Sequence, residues 1–531
     1  MGDDARRRRP DGLTSHAARV ELQDALRLEL QAGPRPAPPR RTFFAGEDRP
    51  MAPIDLGSRR ELFVDSLLVD KLKKTSLQLH EPQPREIVFE HNTPWEGQFS
   101  LYHTIIHDGD RYLLYYRGWQ EPSDPAVYCV AVSDDGVHFE RPQIGKHVWH
   151  GDGQNNIILN EEPYTHTVAP FIDTRPGVAP EQRFKALTRH LTEPDAEGKR
   201  DAALHGIVSA DGINWEMLGT EPLITDGKFD SQNVGFWSEA ESQYVAYYRT
   251  FSAHEGMQEP HRGPTTTATS LRRIKRATSK DFIHWEPGVI MDYRQGEDQA
   301  PAEEFYINQT RPYFRAPHIY VALPARFMDQ RHPVSKAELE QMSVHETQLT
   351  ACSDACFMTA RPGNSWYDRT FMEGFIKPRI GASHWTARCN YPVDGVVQTG
   401  PEEMSVYVSE HYAQPGNQVR RYSLRLDGFS SVRAPHSGGE LITKPIVFAG
   451  KELELNYATS AAGSLRVEIR DAEGKPIPGY SLREATDIFG NKIAGCAAWK
   501  HGTDVSALAG RPVILRFVMG DADLYSMRFT G

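Results

Sequence analysis

Three arginines, Arg117, Arg189 and Arg249, each stand five residues after an aromatic residue (Tyr112, Phe184 and Tyr244) in runs of strand-like alternation. Arg326 follows Tyr320 at six, and His190 and His411 stand close to equivalent places. Carboxylates precede three of these aromatics: Glu96 and Glu304 lie 16 residues before Tyr112 and Tyr320, and Asp230 lies 14 before Tyr244. Side chains alternate across a strand, so equal parity points all three acids the same way where the intervening turns are alike. A set of acids and guanidiniums converging on one place is costly unless its members pair with each other or with a ligand. The chemistry such a set suits is proton transfer on a charged substrate.

The elements that must position these residues repeat. "VSDDGVHFE" at 132–140, "VSADGINWE" at 208–216 and "ATSKDFIHWE" at 277–286 pair a turn with an aromatic residue, and "TARPGNSWYD" at 359–368 and "LRLDGFSSV" at 424–432 are weaker copies. Each has the chemistry of a β-hairpin. An alternating strand precedes each copy: "DRYLLYYRG", "QRFKALTRH", "SQYVAYYRT", "HIYVALPARF" and "EMSVYVSEHY". Strand, turn, strand, loop, strand, turn, strand over roughly 70 residues describes a four-stranded blade with long loops. Five such units over 88–435 predict an all-β protein built on a five-bladed β-propeller. Radial closure leaves few exposed strand edges.

In such a blade the start of the first strand and the end of the second meet at one mouth of the central channel. Glu96, Asp230 and Glu304 (or Glu303) are therefore expected beside Arg117, Arg189, His190, Arg249, Arg326 and His411. Blade 2 adds His166, and Asn233, Tyr306 and Asn390 stand at the entries of blades 3, 4 and 5. Asp173 reads as a turn residue.

Strictly alternating runs from 436, such as "SLRVEIRD" and "PVILRFVM", predict a C-terminal β-sandwich over 436–531. Residues 51–87 are expected as a strand segment packed on the propeller. Residues 1–50, basic and Pro-rich, are expected to be disordered. A net charge of −11 argues against a nucleic-acid surface, and no run of 18 apolar residues predicts a membrane helix. Five scattered cysteines imply reduced thiols and a cytoplasmic setting. Cys352 and Cys356 have no second Cys/His pair nearby, so no metal site is expected from them. Oligomers are expected, if at all, through the sandwich.

"FWSEAESQYV" at 236–245 resembles the blade segment of glycoside hydrolase family 32, and the chain from about 58 onward is similar to bacterial proteins related to families 32 and 43. That resemblance implies a five-bladed propeller with an appended sandwich and three inward carboxylates. The family's signature motifs are replaced: "PWEGQFS" stands where the opening motif would be, and Gln232 and Thr310 fall at positions of family acids. On this reading Glu96 is the base or nucleophile, Glu304 the acid and Asp230 the substrate-positioning carboxylate. Arg117, Arg249 and Arg326 would hold a uronate or sulfate, with Trp95, Trp119 and Trp237 as stacking surfaces. No cofactor is required, although the resemblance allows a structural cation on the axis. The expected activity is hydrolysis of an anionic or furanoside-containing oligosaccharide. A phosphorylase using phosphate held by the arginines, and a non-catalytic carbohydrate- or protein-binding propeller, are the alternatives.

Overall fold

The computed structural model describes residues 52–531 apart from 121–124, 161–163, 192–200, 254–269, 302 and 330. The basic, Pro-rich stretch 1–50 lies outside the described residues.

Strand Arg111–Gly118 shows why these sequences make blades. Its Tyr112, Leu114 and Tyr116 bury against Phe89, Tyr407 and Val419, while Leu113 and Tyr115 bury against Val168, Phe184 and Trp215. Both faces are covered, so the strand reads as a continuous apolar run. The blade order is Leu101–Asp108, Arg111–Gly118, Val127–Ser133, Ile157–Leu159. Blade 2 is Ala169–Ile172, Phe184–Leu191, Ala202–Ser209, Trp215–Met217; blade 3 is Val234–Ser238, Gln243–Ala253, Ser270–Ser279, Val289–Ile290. Blade 4 runs from Thr310–Tyr313 through Ala316–Ala322 and Met358–Ala360 to Trp366–Asp368, which pairs in parallel with Asp292–Gln295. In blade 5, Tyr391–Pro392 and Val397–Gln398 pair with Glu403–Glu410, which pairs with Gln418–Arg425. The five-bladed, all-β architecture expected from the repeats is present.

The repeated turns share one hydrogen-bond pattern. Asp135, Asp211 and Asp281 each accept two backbone N–H bonds at 2.8 Å, closing the hairpin on its own side chain. Gly136 and Gly212 occupy the left-handed region in two copies, and Phe282 takes it in the third with φ 74°. The fifth copy is weaker because the chain leaves the propeller there. After Gln418–Arg425 it continues into Ser430–Ala434, a strand of the C-terminal sheet. The outer place in blade 5 goes instead to Gln83–Glu90, which closes the ring.

The C-terminal sheets form the expected sandwich around Leu453, Leu465, Leu515 and Phe517. The segment expected to pack on the propeller divides differently. Ile54–Gly57 pairs with Ile446–Phe448, Glu61–Leu62 and the C-terminal strand Ile514–Thr530 are partners, and Val69–Lys73 and Ser76–Leu79 pair with Gly439–Thr443 and Ser430–Ala434. The reason is apolar: Leu56, Phe63 and Leu68 belong to the sandwich core. Only Gln83–Glu90 joins a blade.

The centre of the ring is filled. Arg311, on the first strand of blade 4, donates to both carboxylate oxygens of Asp394 in blade 5 at 3.0 Å, to the Gly235 carbonyl of blade 3 at 2.6 Å and to the Pro170 carbonyl of blade 2 at 3.0 Å. The Asp394 carbonyl in turn accepts from Ile105 of blade 1 at 2.8 Å. Gln232 and Gln309 add a side-chain bond of 2.8 Å across the same centre. All five first strands are thus tied by one buried polar knot.

Candidate active site at the mouth of the propeller

First-strand entries and second-strand endings do converge. Tyr102, entering blade 1, donates its hydroxyl to the Asp230 carbonyl of blade 3 at 3.1 Å. The Asp230 carboxylate is ion-paired with Arg249. Glu304 accepts from Arg272 at 3.1 Å. The Arg249 and Arg272 guanidiniums lie 5.5 Å and 5.0 Å from the Tyr306 ring centroid. Tyr306 therefore sits between two carboxylate–arginine pairs. Arg117 donates to the Phe99 carbonyl at 2.9 Å, stacks on Tyr102 and Trp119, and reaches His166 Nε2 at 3.4 Å.

The field here is positive. Burial would raise the Tyr306 hydroxyl, but Arg388, Arg249 and Arg272 outweigh it and hold it below the ordinary phenol value. Burial, with Arg117 and Arg189 beside it, pushes His166 down to about 2. His166 is thus a neutral hydrogen-bonding group at working pH. Neither Arg117 nor Arg388 has a carboxylate partner among the described residues. Arg388 faces Tyr306, Tyr412 and Tyr391. Backbone strain concentrates at this rim: Tyr102, Arg388, Asn390, His411 and Ala413 all hold φ between 59° and 62°. Such residues cluster where structure serves function.

The structure brings Asp230, Glu304, Arg117, His166, Arg249 and Tyr306 together, sets Arg189 and His411 near them, makes buried braces of Asn233 and Asn390, and withdraws Glu96 and Arg326. Glu96 is the main correction. It is 0% exposed, accepts from Arg141 at 2.9 Å and 2.7 Å, and takes the Tyr116 hydroxyl. A carboxylate so enclosed cannot reach a sugar. Its parity argument fails because residues 93–100 are two turns, closed by Glu96 N–H to Thr93 and Ser100 N–H to Gly97 at 3.1 Å each. Arg326 is also withdrawn, gripping Asp354 at 2.8 Å and Glu303 at 2.9 Å inside blade 4.

Asn233 and Asn390 are buried braces for the rim. Asn233 donates to the Ser231 carbonyl at 2.6 Å and accepts the Arg249 N–H at 3.2 Å; Asn390 donates to the carbonyls of His384 (2.8 Å) and Ser353 (3.1 Å). His190 stacks on Tyr164 at 4.5 Å, and Arg189 lies close enough to act on His166. His411 joins His384 and Glu410 on the blade 5 rim. Trp95 is buried with its indole N–H on Asn156, Trp237 packs on Tyr244, and Trp119 alone of the three lies at the mouth. Asp173 is structural, bound by Lys185 and Tyr244.

Sequence reasoning missed Arg272, Arg388 and the tyrosines Tyr102 and Tyr412. Arg388 was accessible to it, standing in "RCNYP" two residues before the blade 5 entry at Asn390. Arg272 was not, because it projects from a third strand, where the two-strand argument places nothing.

No protein-family model and no curated protein sequence matches the chain. Among solved structures it is similar to an N-acetylgalactosamine deacetylase from F. plautii in complex with blood group B trisaccharide, at 11% identity over 66% of this chain and 96% of that one, TM-score 0.42. It is also similar to a Bombyx mori GH32 β-fructofuranosidase, at 9% identity over 83% and 93%, TM-score 0.37. A glycosyl hydrolase from Bacteroides ovatus is similar at 13% identity over 68% and 93%, TM-score 0.37. The chemistry has to be read from the side chains.

Proposed function

We propose that the mouth binds an anionic saccharide and hydrolyses a glycosidic bond in it. The observation that carries this reading is Arg388, a half-buried guanidinium at the mouth with no carboxylate partner among the described residues; the buried Arg117, likewise without one, adds to the positive field, and the two acids beside them already have arginines. A guanidinium fork matches the planar oxygens of a uronate and the oxygens of a sulfate. Trp119, half-buried beside Arg117, offers a flat apolar face for the sugar ring.

With Glu96 enclosed, two carboxylates remain for the chemistry. Glu304, its side chain 10% exposed, takes the part of the acid that protonates the leaving oxygen. Asp230, 59% exposed and ion-paired with Arg249, takes the part of the base that activates water or of the nucleophile. Arg249 and Arg272 orient these groups from either side of Tyr306.

The test is turnover of uronate-containing, sulfated and fructose-containing oligosaccharides. Asp230→Asn and Glu304→Gln are each expected to lower kcat by at least about 100-fold while the saccharide still binds. Acceleration by inorganic phosphate would assign the two guanidiniums to a phosphorolytic reaction instead. Binding by the wild type without turnover of any glycan would make this a recognition propeller.

A further inference from the structure

The blade 5 rim carries a second constellation that the hydrolytic reading does not use. Glu410 ends the strand Glu403–Glu410, His411 follows it, and His384 comes from the short 3-10 turn Ala382–His384. One nitrogen of each imidazole and one oxygen of Glu410 lie within 4.8 Å of one another. The rings are 4.7 Å apart at their centroids.

We infer that His384, Glu410 and His411 form a binding site for one divalent cation of the zinc class. Three features lead there. First, His411 Nδ1 lies 3.1 Å from the Gly416 carbonyl, which fixes Nδ1 as the donor and leaves Nε2 as a bare lone pair. That is the outer hydrogen bond that metal-binding imidazoles characteristically make. Second, His411 Nε2 is buried with no hydrogen-bond partner, and so is Nδ1 of His384, a residue only 7% exposed. Two orphaned imidazole nitrogens in one cluster cost free energy unless a partner is supplied. Third, Glu410 is oriented by Gln418 at 2.8 Å and Tyr422 at 3.2 Å, supports that hold a ligating carboxylate in place.

The charges facing the cluster set its character. Arg420 donates to both Glu410 oxygens at 3.1 Å and 3.2 Å, and Arg379 approaches at 3.5 Å from a side chain 39% exposed. Arg379 makes the longest of these contacts and is the one a cation displaces. Two nitrogens and one oxygen suit zinc, cobalt or nickel better than calcium or magnesium, which prefer all-oxygen shells. Three protein ligands leave a coordination position for water or substrate. Tyr412, next in sequence, faces Phe99 and Arg388, so the cation would sit on the lip of the same mouth.

The experiment uses the full chain stripped with chelator and titrated calorimetrically with zinc chloride. One equivalent is expected per chain, with affinity falling at least about 100-fold in His411→Gln and again in His384→Gln, both checked for folding by circular dichroism. Cobalt(II) added to the wild type is expected to give the intense visible bands of a low-coordinate site, a readout that needs no variant. Absence of stoichiometric zinc in the wild type, a cobalt spectrum no stronger than the aqueous ion's, or unchanged affinity in both folded variants would overturn the assignment.

Discussion

Glu96 and Asp230 bring the same functional group into opposite situations. Glu96 is walled in by Arg141 and Tyr116, so its charge is spent on pinning the approach to blade 1 and on holding Arg141, which also donates to the Glu90 carbonyl of the closing strand. Asp230 shows most of its carboxylate to solvent and shares a single arginine. Removing one partner of a buried pair leaves the other without compensation. Glu96→Gln is therefore expected to cost about 2–3 kcal/mol of stability, below the full buried-pair value because Arg141 is 25% exposed. It should leave kcat per folded molecule unchanged. Urea unfolding and turnover measured on the same samples check both halves; lost kcat at wild-type stability would return Glu96 to the catalytic set. The sequence shows acids near strand starts, but whether an acid is sealed or open depends on Arg141, 45 residues away, which no local pattern connects to it.

At the scale of elements, the hairpins announced themselves because each closes on its own Ser–Asp pair within a few residues. The closing strand Gln83–Glu90 did not, since its partner Gln418–Arg425 lies more than 300 residues on. The strand Glu61–Leu62 was equally hidden, and it forms a clasp. It pairs with the sandwich strand Ile514–Thr530, while Glu61 takes Arg361 and His318 of blade 4, each at 2.8 Å. Burial alone would raise the Glu61 carboxyl, but Arg361, His318 and Arg59 hold it at about 2 against an unperturbed 4.5. A folded value below the unfolded one means the contribution is complete above about 4.5 and is lost as pH falls towards 2. The difference corresponds to about 3 kcal/mol. Melting temperatures across that range should fall for the wild type and flatten for Glu61→Gln, which is less stable at neutral pH; parallel curves would mean the clasp carries no such energy.

For the whole molecule, closure is what makes a site out of scattered residues. Arg117 comes from blade 1, Asp230 and Arg249 from blade 3, Tyr306 and Glu304 from the approach to blade 4, and Arg388 from the entry to blade 5. They meet because Arg311 and Asp394 tie the first strands below them and Gln83–Glu90 shuts the ring outside. The ring was legible in the five repeats; the charge balance of its mouth was not, because pairing between blades decides which guanidiniums are left for a ligand. Among the described residues no helix is long and apolar enough to cross a membrane. The most direct measurement of the account is kcat/KM for a uronate-containing substrate and its uncharged counterpart, in the wild type and in Arg117→Gln and Arg388→Gln. Each variant is predicted to lose about 10–100-fold on the charged substrate and little on the neutral one, as for one lost charge-assisted contact of about 1.5–3 kcal/mol. Equal losses on both substrates, or none on either, would contradict it.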